Sequence, residues 1–103
     1  MSDLPRPPKT HDDFVATFPE LARAWETLGA AGKHGPLDEK TVRLVKLAVA
    51  IGNQQEGAVH ASVRKGLAMG ITREELEQVV AIAAGTLGLP RTVAAYTWIK
   101  DLL

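Results

Sequence analysis

Residues 52–72 read GNQQEGAVHASVRKGLAMGIT, and how this stretch is read decides the fold. Gly52–Gln55 is turn-prone, the run after it lacks proline, and Gly70 stops it just before Thr72. The spacing predicts a helix. At about 100° per residue, Glu56, Val59, His60, Val63, Leu67 and Gly70 share one stripe. Gly57, Ala58, Ala61, Ser62, Lys65 and Ala68 fall mostly on the other side. A carboxylate and an imidazole therefore sit in the face expected to be buried. Burying either one unpaired is costly, so Glu56 and His60 are expected to meet, and they are the first candidates for chemistry.

Working outward, Thr72 followed by Glu75 is a capping box that opens the next helix, TREELEQVVAIAAGTLG. Leu76, Val79, Val80 and Ala83 form its apolar side. Pro90 suits the first turn of a last helix, in which Val93, Tyr96, Trp98 and Ile99 are packing candidates. Upstream, Asp38 opens DEKTVRLVKLAVAIG, whose second half has little polar surface. A helix apolar nearly all round is buried on several sides. In so short a chain, burial against other subunits is one way to achieve that. Gly29–Pro36 is a turn-rich connection, and His34 within it reads as a solvated loop histidine. Before it, Pro19 begins a helix to about Leu28, with Leu21, Trp25 and Leu28 as an expected core stripe. Thr10 or Asp12 is placed to cap a short helix containing Phe14, Val15 and Phe18. Residues 1–9 are proline-rich and read as an extended arm, leaving 10–103 as one domain. No alternating run bounded by hairpin turns marks a strand.

Composition narrows the function classes. The 103 residues carry twelve basic and twelve acidic side chains, so no basic excess marks a nucleic-acid footprint. Cysteine is absent, which removes disulfides, thiolate metal sites and thiol redox chemistry from this chain. No apolar run reaches the length of a membrane span, and a cytoplasmic protein is the expectation.

The order LDEKTVRLVKLAVA, then QEGAVHASVRKGLAMGITREELEQVVAIAAGTLGLP, resembles the carboxymuconolactone decarboxylase-like family, which includes alkyl hydroperoxidase D. The resemblance covers roughly residues 37–100. It implies an all-α, six-helix bundle of the alkyl hydroperoxidase D-like type, assembled as a homo-trimer or homo-hexamer. The redox branch of the family carries Cys-x-x-Cys-x-x-x-His. Aligned without gaps, its two cysteine positions fall on Gln55 and Ala58, its histidine on Ser62 and its acidic relay residue on Arg43. The decarboxylase branch carries Glu-x-x-x-His. Glu56 and His60 reproduce that spacing two residues earlier, a rotation of about 200° on a helix. The chain is thus similar to the family as a cysteine-free variant with its own pair.

Loss of carbon dioxide from a carboxylated lactone leaves enolate-like charge, which needs an acid, and the substrate's carboxylates need cations. His60 is the candidate acid, with Glu56 orienting its ring. Arg64, one turn on, and Arg43 and Lys46 on the preceding helix are candidates for binding the carboxylates. The plain structural alternative is an ion pair that fixes helix register. A metal site would need a third ligand, and neither His11 nor His34 is obviously placed to give it, so no metal or cofactor is expected. Three functions follow. One is a lyase or isomerase acting on a small carboxylated lactone or related acid. Another is the antioxidant, peroxiredoxin-like role the family resemblance would attach, here without its cysteines. The third is a non-catalytic oligomeric binding module. The expected partners are a small carboxylated molecule and other copies of the chain, with no nucleic acid and no membrane.

Overall fold

The computed structural model describes residues 4–103, all-α among those residues. Helices run α1 (Lys9–Thr17), α2 (Pro19–Ala31), α3 (Glu39–Gly52), α4 (Glu56–Ala68), α5 (Arg73–Leu87) and α6 (Leu89–Lys100). Of the arm expected over residues 1–9, residues 1–3 lie outside the described residues.

Local signals set most boundaries. The Thr41 N–H donates to Asp38 Oδ1 at 2.7 Å, capping α3. Thr72 and Glu75 form the full reciprocal capping box of α5. Pro19 and Pro90 each sit in the first turn of their helices, where a missing N–H costs no hydrogen bond. Helix α1 differs from expectation. Pro8 precedes it without a side-chain cap, and Thr10 and Asp12 lie inside it. A proline at that point stops the chain from being helical any earlier without needing a cap.

The ends of α3 and α4 share one device. At α4, the Ile71 N–H reaches Gly66 O at 2.9 Å and the Gly70 N–H reaches Leu67 O at 3.1 Å, with Gly70 at φ 87°. That double bond around a left-handed residue ends the helix and reverses the chain. At α3 the same bonds run from Gln55 to Ala50 and from Gln54 to Ile51. There the left-handed position is Gln54, at φ 54°. A non-glycine residue in this conformation costs on the order of 1 kcal/mol. Its own amide, bonded to Ile51 O at 2.8 Å, helps to hold the turn. This strained hinge feeds directly into Glu56.

The last four helices pack as a ring in the order α3, α4, α6, α5 and back to α3. Leu47, Ile51, Val59, Val63, Leu76, Ala95 and Ile99 meet inside it, with no exposed surface. The Tyr96 hydroxyl donates to Glu77 Oε2 at 3.1 Å and ties α6 to α5. Helices α1 and α2 pack chiefly on each other and have no buried residue. The stripe Leu21, Trp25 and Leu28, expected in the core, faces outward, and Trp25 is 71% exposed. Val45 and Val49 of α3 are also exposed, so that helix is not enclosed on all sides within one chain.

Two caps make stability depend on pH. The Asp38 carboxyl is held below its ordinary range, first by the Thr41 backbone N–H. That of Glu75 is held below its range, first by Lys40, with which it pairs, and then by the Thr72 N–H. Each carboxyl titrates lower in the folded chain than in the unfolded one. Their contribution is therefore fully present above the unfolded pKa of about 4 and is lost as pH falls through the folded values. Thermal melts between pH 6 and pH 2.5 should show the midpoint falling through that window. The double substitution Asp38→Asn, Glu75→Gln should flatten the slope there, and an unchanged slope would show that the caps are not responsible.

Candidate functional site

The buried face of α4 is Val59, Ser62, Val63 and Gly66. This is rotated from the stripe read in the sequence. The shift comes from small residues. A Cβ at Gly66 would lie 3.5 Å from Ile71 and 3.6 Å from Leu76, so this side of α4 takes the closest approach of its neighbours. Ser62 is buried on the same side. The rotation carries Glu56 out into solvent and leaves His60 half-buried. The expectation that both lie in the buried face is thus corrected for Glu56. An exposed carboxylate in the first turn of α4 also suits the positive end of the helix dipole.

His60 has a partner from another helix. Its Nε2 lies 3.0 Å from Asp101 Oδ2, with the side chains 28% and 47% exposed. Asp101 is the C-cap of α6, and the packing of α4 on α6 brings it over the first turns of α4. One ligand atom from each of Glu56, His60 and Asp101 lies within 4.8 Å of the others. Glu56 makes no direct bond to His60, but the spacing leaves room for a single water between them. Nothing local in the sequence points to Asp101, which lies 41 residues from His60. Chemically, the group offers an imidazole with one nitrogen fixed by a carboxylate and a second carboxylate alongside. Such a set can hold and move a proton, and it has the donor types that bind a divalent cation.

The other candidate residues lie apart from this trio. Arg43 and Lys46 line a cleft of about 260 Å³ with Lys33, Leu37, Glu39, Val42 and Met69. Arg64 is half-buried, one turn beyond His60 on α4. A larger apolar groove, about 500 Å³, runs between α3 and α5 and includes Leu44, Val45, Val79 and Ile82. Neither cleft is lined by Glu56 or His60.

This arrangement of helices has known counterparts. The model of the carboxymuconolactone decarboxylase family matches residues 19–101, and the chain belongs to that family. The crystal structure of apo-lpg0406, a carboxymuconolactone decarboxylase family protein from Legionella pneumophila, superposes with a TM-score of 0.75. It covers 91% of this chain and 88% of that one at 26% identity. The uncharacterised protein MJ1511 of Methanocaldococcus jannaschii is 41% identical over 66 residues, 64% of this chain and 62% of that protein.

Proposed function

We propose that the chain is a decarboxylase-like lyase or isomerase that acts on a small carboxylated lactone or related acid, with His60 as the proton-transferring group. The observation that carries this reading is the convergence of His60, Asp101 and Glu56 at the α4–α6 contact, on a fold of this family. In a decarboxylation the bond to the departing carboxylate breaks and carbon dioxide leaves. The electron pair remains as an enolate, and His60 delivers a proton to its carbon. Asp101 holds the ring in one orientation, and Glu56 stands beside the path of proton return. Arg64, Arg43 and Lys46 supply positive charge for the substrate's carboxylates. Thiol peroxidase chemistry has no cysteine to use. The test is a panel of carboxylated lactones assayed for turnover or for protection against thermal unfolding. A response to none of them, at millimolar concentration, would overturn the reading.

One observation favours a non-catalytic binding role instead: the trio lines neither of the two clefts described above. A neighbouring subunit would supply the missing wall, and our reading includes a homo-oligomer, a trimer or hexamer, in the cytoplasm. The support is apolar surface without cover. Trp25 and Ile82 are each 71% exposed, and Phe14, Phe18, Leu21 and Leu28, on or between α1 and α2, are exposed as well. Apolar patches of this kind usually mark interaction surfaces. Light scattering at micromolar concentration should give three or six chains per particle, and a monomer would contradict the assembly.

A further inference from the structure

We propose that the cleft beside the N-terminal half of α3 is an anion site that takes a compact ligand with two or more negative charges. A phosphate ester and a di- or tricarboxylate share the chemistry required. The site takes up Arg43, Lys46 and Arg64, which the lyase reading uses for carboxylates, and adds Lys33, Lys65 and the polyanion class, while needing neither Glu56 nor His60.

The first observation is unmatched charge. Lys33, Arg43 and Lys46 line the cleft, where Glu39 is the one carboxylate. Lys65, next to Arg64 on α4, stands within electrostatic reach of all three. Among the described residues none of these five cations forms an ion pair. Elsewhere among these residues Lys40 pairs with Glu75, Arg73 with Glu77 and Arg23 with Glu20, while Arg6, Lys9, Arg91 and Lys100 stand apart from one another along the chain without an ion pair. With twelve cations and twelve acids overall, three cations lining a cleft that has one carboxylate, with Lys65 and Arg64 nearby, are a local excess.

The second observation is an unsatisfied donor. Arg43 Nε is buried without a hydrogen-bond partner. A buried N–H of a charged group left unbonded is costly, and a carboxylate or phosphate is the natural partner for a guanidinium edge. Like-charge crowding points the same way. The Lys65 ammonium is pushed below the usual lysine range, first by desolvation and then by Arg43, Arg64, Lys46 and Lys33. An anion in the cleft would relieve the crowding and give the rest of the Arg43 guanidinium a partner.

The size and walls of the cleft limit the ligand. About 260 Å³ is at the small end for a ligand pocket. Leu37, Val42 and Met69 offer apolar wall to a short carbon skeleton. Three cations line the cleft, more than one carboxylate needs, so a multiply charged small molecule matches it better than a simple monoanion.

Calorimetric titration of the full chain at low ionic strength tests the site, with pyrophosphate, citrate and acetate as probes. Binding of pyrophosphate or citrate at one per chain is expected, with acetate too weak to measure. Which of the two polyanions binds more tightly tells phosphate from polycarboxylate chemistry. Lys46→Gln and Arg43→Gln should each weaken binding by about tenfold or more, as loss of a charged hydrogen bond does. Lys33→Gln, on an exposed loop residue, does the same test without risk to the core. His60→Gln should bind as the parent does, so failure of the lyase reading and failure of this one are told apart. Equal weak binding of all three anions would overturn the proposal. So would undiminished affinity in the Lys33, Arg43 and Lys46 variants, or loss of binding in His60→Gln. Dissociation of an oligomer by the cleft substitutions, with no anion bound by the parent, would show the cations facing a second copy of the chain instead.

Discussion

Replacing His60 with glutamine is expected to cut turnover of a carboxylated lactone by about 10²- to 10⁴-fold, the usual worth of a positioned acid or base. Glutamine keeps a hydrogen-bonding side chain of similar reach toward Asp101, but it cannot deliver a proton. The melting temperature should barely move. The His60–Asp101 pair is 28% and 47% exposed, and an ion pair that open to water contributes about 0–1 kcal/mol. Asp101→Asn keeps a hydrogen-bonding group at the ring and removes only the charge, so its loss of rate should be smaller. Initial rates and thermal melts on the same preparations check both statements. A large fall in stability without loss of turnover would make the pair a structural tie between α4 and α6.

The second large effect is on folding. Leu47 has no exposed surface and sits on α3, where α4 and α5 both pack against it. Leu47→Ala removes its buried methyl groups and leaves a cavity, a change that costs about 2–5 kcal/mol. Total stabilities of domains are about 5–15 kcal/mol, so the variant should lie near the edge of folding at room temperature. Urea unfolding should show a midpoint lowered by a large fraction with little change in slope. Val49, two residues on and on the opposite side of the same helix, is 65% exposed and should tolerate alanine in a single chain. If Val49→Ala proves as damaging as Leu47→Ala, α3 is covered on that face by another subunit.

Why some features were legible in the sequence and others were not comes down to range. Asp38, Thr72 with Glu75, Pro19 and Pro90 act within one helical turn, and each helix start they mark is where the chain places it. The family resemblance carried the all-α class and the order of helices. The phase of α4 was not legible, because hydrophobicity alone favoured Leu67 over Ser62 and Gly66. Close helix packing selects small residues, and those two turned inward. Asp101 was out of reach because its role depends on the crossing of α4 and α6, a tertiary fact. The outward stripe of Leu21, Trp25 and Leu28 has the same periodicity as a core stripe, and periodicity does not say which molecule supplies the other side.

The central claim is that His60, held by Asp101, is the group that meets the ligand. The chain has three histidines, and His11 and His34 serve as internal controls. Ring-nitrogen NMR during titration with a carboxylated lactone reads all three at once. The His60 nitrogens should shift in a saturable way while those of His11 and His34 stay still. Turnover or binding of that ligand with the His60 signals unmoved would contradict the claim.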